Sequence, residues 1–215
     1  MKFTRMLASF LLLSGFLYAS AVTAEMNPDI LALQQRWAEV NYLSEGKARV
    51  EAFEKLIDQT ELVTDKYPEH PEAWIWSGII KSTYAGAKGG LGALSSAKSA
   101  KSELEKSLQL DPTALNGSAY TTLGTLYLNV PGWPAAFGSK EKAKELLDKA
   151  LQLAPDDIDN NYFYAEYYVK EKNMVDAEKH LYRALSAAGR PGRELADQGR
   201  HGDIEKMLQQ IKDSR

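Results

Sequence analysis

The sequence predicts an all-α protein built as a solenoid of helical hairpins, and three observations support that prediction. Apolar residues recur at three- and four-residue spacing from residue 28 onward, and no segment sustains the apolar–polar alternation of a strand. Turn signals containing Pro or Gly divide the chain at regular places. One order of residues, small, Leu, small and Pro with steps of four, three and five, recurs along the chain, which indicates an internal repeat.

The composition is that of an ordinary globular protein, and it excludes several functions. The chain has 215 residues, of which 44% are apolar and 26% are charged. The absence of Cys excludes disulfides, Cys-based zinc sites and Cys-ligated iron–sulfur clusters. Acidic residues outnumber basic ones by 29 to 26, whereas nucleic-acid phosphates require a basic face. We therefore expect no nucleic-acid partner and no cofactor.

Residues 1–24 have the order of features that is typical of a signal peptide. Lys2 and Arg5 form a basic start, residues 10–18 form an apolar core, and small residues at 22 and 24 favour cleavage before Glu25. A single transmembrane anchor is the alternative, but the apolar run is short for a span. The sequence thus predicts an exported chain with no membrane span after cleavage, located in a bacterial periplasm.

The remaining chain is predicted to form nine helices in five segments. These segments are an N-terminal helical hairpin (25–70), a first repeat (71–112), a second repeat (113–155), a third repeat (156–190) and a C-terminal capping helix with a tail (191–215). The predicted helices cover residues 28–43, 47–66, 71–86, 95–110, 113–129, 139–153, 157–172, 174–187 and 202–212. Ser95, Ser139 and Asn173 stand where N-caps are expected.

The repeat pairs a small residue on one helix with a large residue on the next. In the second repeat, Gly124 belongs to the first helix, and Ala143, Leu147 and Ala150 belong to the second helix. A small residue lets the neighbouring helix approach closely, and the large residues fill the remaining space. The same rule applies to Gly78 with Ala100 and Leu104, and to Ala165 with Ala177 and Leu181.

This pattern resembles the tetratricopeptide repeat family over residues 71–189. The matching residues are Tyr120, Leu123, Gly124, Tyr127, Ala143, Leu147, Ala150 and Pro155 in one repeat and Tyr164, Ala165, Tyr168, Ala177, Leu181 and Ala184 in the next. The resemblance implies a right-handed solenoid with a concave groove. Two positions depart from the family pattern, since Lys81 replaces an aromatic residue and Asn161 replaces a bulky one.

The family resemblance also implies which residues line the groove and what they bind. Carrying the groove positions over gives Ile75, Ile79, Thr121, Thr125, Leu128, Tyr162, Glu166 and Val169. A protein or peptide partner is expected along this surface, which makes the chain an interaction scaffold. Family members that clamp the carboxylates of chaperone tails use Lys and Asn at such positions. Those residue types are absent here, so that function is not expected.

Two insertions, at residues 86–94 and 130–138, separate the paired helices of the first two repeats. They contain large apolar residues that are costly to leave in water, namely Leu91, Leu94, Trp133 and Phe137. These side chains are therefore expected to pack. They either form an elaborated edge of the solenoid or form a lip beside the groove that contacts a partner. Truncation of Trp133 separates the two possibilities.

A second likeness suggests an alternative function. The chain looks most like exported bacterial proteins with a Gly-Trp-Pro-Ala-Ala-Phe-Gly insert, and more distantly like the periplasmic T-component of tripartite ATP-independent transporters. The transporter likeness implies a small-molecule or lipid-like ligand and an accessory role in transport. The chain lacks the lipid-anchoring Cys that this likeness would lead us to expect.

Neither an enzyme nor a metal site is predicted. Ser95 and Ser139 each begin a Ser-x-x-Lys pattern, but the partner motifs of penicillin-recognising enzymes are missing, and both residues are explained as caps. Asp176 and His180 lie four residues apart, which favours a local ion pair over metal ligation. The basic residues Arg190, Arg193, Arg200 and His201 could bind an anion, although the Gly-rich sequence around them favours exposed charge in a flexible tail.

Overall fold

A computed structural model describes residues 26–215, and the predicted signal peptide lies outside that range. The helices are α1 (Pro28–Leu43), α2 (Gly46–Lys66), α3 (Pro71–Lys88), α4 (Gly90–Leu110), α5 (Ser118–Asn129), α6 (Lys140–Leu153), α7 (Ile158–Lys170), α8 (Met174–Leu185) and α9 (Glu194–Asp213). The described residues contain no strand, only one isolated bridge between Gly132 and Gly138. Within this range no helix has the length and apolarity needed to cross a membrane.

Successive helices pair as hairpins, and the hairpins stack on one another. Helix α3 packs along α4, α5 along α6, and α7 along α8. Gly78 and Gly124 lie where the paired helices touch. A Cβ atom at Gly78 would lie 2.5 Å from Cγ of Leu104, and one at Gly124 would lie 2.8 Å from Cγ of Leu147. The all-α hairpin solenoid is confirmed, and the small-to-large pairing that the sequence predicts is its packing rule.

Replacement of Gly124 by Leu is expected to destabilise the fold by roughly 1–3 kcal/mol or more, because the added side chain must displace Leu147 and the adjacent backbone of α6. The measurement is the unfolding free energy from urea denaturation. Gly86→Leu is the matched control, since Gly86 lies in α3 and a Cβ atom there would have no heavy atom within 4 Å. Equal stability of the two variants would contradict the packing rule.

The predicted caps are correct at two of three positions. Ser139 Oγ accepts a hydrogen bond from the Lys142 amide (3.1 Å), and Asn173 Oδ1 accepts one from the Asp176 amide (3.2 Å). Ser95 is not a cap, because it is exposed inside α4. Gly89 and Gly90 both have positive φ, a conformation that costs Gly little. The chain therefore reverses at these two residues, and the first insertion lengthens α3 and α4 instead of forming a loop.

The second insertion forms a compact loop between α5 and α6. The Gly138 amide donates to the Pro131 carbonyl (2.9 Å), and the Ser139 amide donates to the Tyr127 carbonyl (2.9 Å). Phe137 packs edge-on against Tyr127, with ring centroids 5.3 Å apart. Trp133 is 89% exposed, so the expectation that it packs is wrong.

The C-terminal helix closes the solenoid on itself. Helix α9 begins at Glu194, eight residues before the predicted start, and it packs on α1 as well as on α7 and α8. Tyr42 Oη of α1 donates to Asp203 Oδ2 of α9 (3.3 Å). A Cβ atom at Gly199 would lie 2.5 Å from Cγ of Tyr42, so the missing side chain permits this contact. The first and last described helices therefore meet across the concave side.

Candidate functional site

The concave side holds a cavity of about 450 Å³ between α1, α3, α5, the start of α7 and the segment linking α8 to α9. Its walls combine apolar side chains with hydroxyls, with the amides of Gln34, Asn116 and Asn160, and with charges clustered at one end. The apolar residues are Met26, Leu31, Trp37, Trp76, Ile79, Leu115 and Phe163. The hydroxyl residues are Ser82, Thr83, Ser118, Thr121, Thr122 and Thr125, and the charged residues are Asp157, Asp159, Arg190, Arg193 and Arg200.

One wall of the cavity is a short irregular segment before α5. The sequence predicts a continuous helix over 113–129, but a 3₁₀ turn at Ala114–Gly117 interrupts it. Leu115 and Asn116 have φ values of 47° and 56°, a left-handed conformation that costs non-glycine residues energy. Both residues line the cavity. Thr121, Thr122 and Thr125, on α5 directly after this break, also line the cavity.

The charged end of the cavity is organised around Asp159, in the first turn of α7. Arg190 Nη1 donates to Asp159 Oδ2 (2.7 Å), and Arg200 Nε donates to Oδ1 (2.8 Å). Arg193 Nη2 lies 3.7 Å from Oδ2. The interpretation of these arginines as exposed charge in a flexible tail is wrong. Their counter-ion stands far upstream in the chain, and Arg200 is 7% exposed.

Two of the three arginines have further carboxylate partners. Arg190 donates through Nε and Nη2 to Asp197 Oδ1 (2.8 and 2.6 Å). Arg200 donates through Nη1 to Asp203 Oδ2 (3.0 Å), and its guanidinium carbon lies 4.3 Å from the ring centroid of Tyr162. These contacts fix the link between α8 and α9 and hold the arginines in place as parts of the scaffold.

Arg193 differs from the other two arginines. Within residues 26–215 its guanidinium makes no hydrogen bond, and its Nε is shielded from solvent without a partner. The guanidinium carbon lies 5.6 Å from the ring centroid of Trp76, so the indole face supports the group. The Trp76 Nε1 is also buried without a partner among the described residues. This end of the cavity therefore contains two shielded N–H groups that have no acceptor among the described residues.

The two carboxyl groups at the start of α7 have opposite pKa shifts. Burial alone would raise the pKa of Asp159, but the charges of Arg200, Arg190 and Arg193 outweigh burial and hold it well below its usual range. Burial, and next the neighbouring charge of Asp159, raise the pKa of Asp157. Asp157 Oδ1 caps α7 by accepting from the amides of Asp159 (2.9 Å) and Asn160 (3.0 Å).

Replacement of Asp157 by Asn is expected to stabilise the protein modestly at pH 7. Asn caps a helix as well as Asp does, and the change removes a charge that burial disfavours. Because the folded-state pKa of Asp157 is raised, its charge destabilises the fold above that pKa and has no such effect below the unfolded value of about 4. The advantage of the variant should therefore shrink as the pH falls to about 4. A constant advantage in urea titrations across that pH range would contradict the assignment.

The structure brings three of the eight predicted groove residues to the cavity, namely Ile79, Thr121 and Thr125. The other five lie outside its lining. Ile75 is fully buried between helices, and Leu128 is buried beside Tyr164 and Tyr167. Tyr162 packs under Arg200, Glu166 accepts from Asn129 Nδ2 (3.0 Å), and Val169 packs in the C-terminal core.

The insertion residues do not join this site. Leu94, Trp133 and Phe137 are absent from the lining of the cavity. The side chain of Leu91 lies outside the described part of the structure. The cavity instead contains residues that the repeat pattern does not reach, above all Trp37, Trp76 and Arg193. For Arg193, the only indication in the sequence was the cluster of arginines separated by glycines near the C-terminus.

Comparison with known proteins supports the fold. No family model matches the chain, and no curated protein does. A thermophilic TPR protein of Thermus thermophilus, known from its crystal structure, is similar in three dimensions. It superposes with a TM-score of 0.52 at 15% sequence identity, over 81% of this chain and 98% of that chain. The described helices therefore form a tetratricopeptide-like solenoid.

Proposed function

We propose that this protein is a binding protein, and not an enzyme, that holds a ligand of small-molecule size in the concave cavity. The observation that carries the proposal is the contact of α1 with α9 beside an apolar cavity of about 450 Å³. Small-molecule sites are concave, mostly apolar and roughly 300–1,000 Å³ in volume, with a few placed polar groups. This is the ligand-binding alternative that the sequence offers.

The cavity chemistry favours binding over catalysis. No His is found in its lining within residues 26–215, and its threonine hydroxyls are committed to the scaffold. Thr122 Oγ1 donates to the Ser118 carbonyl (2.9 Å), and Thr125 Oγ1 donates to the Thr121 carbonyl (2.9 Å). A hydroxyl nucleophile requires an adjacent base to take its proton. These hydroxyls have backbone acceptors in that position.

The proposal includes export to a bacterial periplasm. Its support is the order of basic, apolar and small residues in positions 1–24. An accessory role in transport of the bound molecule is the corresponding physiological prediction, and it rests on the likeness to the T-component described above. Fractionation of the expressing cell tests the location, since a cytoplasmic full-length chain would contradict export.

The cavity itself is tested by filling it. Ser82 lines the cavity and makes no side-chain hydrogen bond among the described residues, so Ser82→Phe fills space without removing such a bond. Small molecules that co-purify from the native cell are measured by mass spectrometry. We expect a ligand with the parent protein, no ligand with Ser82→Phe, and retained ligand with the control Ser95→Phe on the exposed face of α4. Equal ligand in all three would contradict the cavity as the site.

A second candidate function is protein docking through the loop between α5 and α6. The observation that favours it is the exposure of Trp133, since large exposed aromatic residues often dominate binding energy at interfaces. This function keeps the prediction that the inserted loop contacts a partner, but it does not keep the predicted position of the loop beside the groove. It preserves the protein partner that the family resemblance implies.

Trp133→Ala should change the unfolding free energy by less than about 0.5 kcal/mol, because an 89% exposed side chain has little packing to lose. Thermal and urea denaturation measure this directly. Phe137→Ala is the contrasting variant, since Phe137 packs on Tyr127 and should contribute measurable stability. A large loss of stability in Trp133→Ala would show that the loop tip packs after all.

A further inference from the structure

The unpartnered donors at the charged end of the cavity indicate what the ligand carries. Buried N–H groups are nearly always hydrogen-bonded in folded proteins, and an exception calls for an explanation. Here two exceptions lie side by side, at Arg193 Nε and Trp76 Nε1, among the described residues. Both side chains line the cavity. Because both atoms are shielded from solvent, an acceptor in the cavity can approach this pair only through the outer nitrogens of Arg193.

The outer nitrogens of Arg193 are the atoms available to such an acceptor. Arg193 itself lines the cavity, and its Nη2 lies 3.7 Å from Asp159 Oδ2, which is longer than a hydrogen bond. That distance leaves the N–H groups free to donate elsewhere. Arg190 and Arg200 hold Asp159 at 2.7 and 2.8 Å, so its carboxylate is already engaged. Arg193 is thus the arginine of this cluster whose guanidinium makes no hydrogen bond within the described residues.

Three threonines of the cavity wall already donate their hydroxyl protons to backbone carbonyls. Thr122 and Thr125 donate their hydroxyl protons to backbone carbonyls, and Thr83 does the same to Ile79 (2.8 Å) while accepting from Trp37 Nε1 (3.0 Å). An anionic group would therefore find its donors at Arg193 and not along the threonine wall. A guanidinium offers paired N–H groups in a plane, which matches the two oxygens of a carboxylate.

We propose that the cavity binds a carboxylate with an apolar body, whose carboxylate pairs with Arg193 and whose body packs on Trp76, Ile79 and Phe163. The assignment rests on the proposed ligand-binding function and narrows it to one chemical class. The net charge of this cluster does not favour an anion, because its four carboxylates outnumber the three arginines; the carboxylates are those of Asp157, Asp159, Asp197 and Asp203. The unbonded guanidinium of Arg193 is the feature that favours one. The carboxylate belongs either to a free organic acid or to the C-terminus of a short peptide.

The test is calorimetric titration of the purified protein with matched probes. Octanoate is compared with octanol, which has the same chain without the charge, and Ala-Leu-Phe is compared with its C-terminal amide. The variants are Arg193→Gln, Arg193→Lys and the control Arg36→Gln, whose arginine forms an exposed pair with Glu39 and is not among the residues that line the cavity. Circular dichroism melting establishes that each variant folds.

Octanoate or the free peptide should bind the parent protein at least roughly tenfold more tightly than its uncharged counterpart. Arg193→Gln should remove that preference, Arg193→Lys should retain part of it, and Arg36→Gln should leave it unchanged. A preference for octanoate identifies a free acid as the source, and a preference for the peptide identifies a C-terminus. If Arg193→Gln does not fold, the assignment is judged by whether the parent prefers the charged probe over its uncharged counterpart and whether Arg193→Lys retains part of that preference.

Two results overturn the assignment, and they differ in what else they overturn. Equal affinity for charged and uncharged probes, or an unchanged preference in folded Arg193→Gln, would contradict the carboxylate and leave the cavity as a binding site. Absence of binding by all four probes would also contradict the carboxylate, and if Ser82→Phe in addition has no effect on co-purified small molecules, the proposed function is contradicted as well.

Discussion

Asp159→Ala is expected to lower the unfolding free energy by about 3–5 kcal/mol, the cost of removing one partner from a buried ion network. Arg190 and Arg200 would each lose a hydrogen bond of 2.7 to 2.8 Å, and Arg193 would lose its nearest counter-charge. The arginines would remain at the end of the cavity with too few acceptors. Urea denaturation at pH 7 measures the loss.

The matched control is Asp156→Ala, three residues earlier in the link between α6 and α7. Asp156 pairs with Arg183 on the surface, where its side chain is 79% exposed, and such pairs contribute at most about 1 kcal/mol. Because the folded-state pKa of Asp159 is lowered, its contribution is present above about pH 4 and is lost only as the pH falls through that lower value. A loss below about 1 kcal/mol in Asp159→Ala would show that the network is not a structural centre.

Gly199→Leu is expected to destabilise the protein by roughly 1–3 kcal/mol or more and to weaken ligand binding at the same time. The new side chain would meet the ring of Tyr42, which cannot move freely. That ring packs edge-on against Trp37 at 5.9 Å between centroids, and its hydroxyl bonds to Asp203. Relief of the clash requires α1 and α9 to separate, which opens the cavity beside Trp37. Denaturation and the octanoate titration measure the two effects.

Gly202→Leu is the control for helix propensity and for added apolar surface. Gly202 lies three residues later in α9, and nothing lies within 4 Å of a Cβ atom there. Since Leu favours a helix more than Gly does, this variant should be as stable as the parent or more stable. Equal behaviour of Gly199→Leu and Gly202→Leu would contradict the close contact between α1 and α9.

The hairpins of the fold were predictable because their rule is local. The steps from Gly124 to Leu147 are short in sequence, and the helices that carry them are neighbours in the chain. The two departures from the family pattern are also explained by contacts between neighbouring segments of the chain. Lys81 is buried and pairs with Glu103 across the α3–α4 hairpin (2.5 Å), and Asn161 donates to the carbonyls of Pro155 and Asp157 at the α6–α7 turn.

The closure of the solenoid and most of the cavity were not predictable, because they depend on residues distant in the chain. Tyr42 meets Gly199 from the opposite end of the described chain, and no spacing rule links them. The arginines near the C-terminus were interpreted as exposed for the same reason, since Asp159 stands far upstream. A Gly in a helix marks a close approach but does not name the partner. The sequence therefore did not show that the C-terminal helix α9 contacts α1.

The meeting of α1 and α9 across the concave side is the central structural claim, and a disulfide tests it directly. The chain has no Cys, so Tyr42→Cys with Gly199→Cys introduces the only two thiols. A Cβ atom at residue 199 lies 2.5 Å from Cγ of Tyr42, which places the two Cβ atoms within about 4 Å, as a disulfide requires. Mass spectrometry after mild oxidation should find a single intramolecular disulfide in nearly all of the monomer. Two free thiols in the monomer, or disulfides formed only between chains, would contradict the closed solenoid.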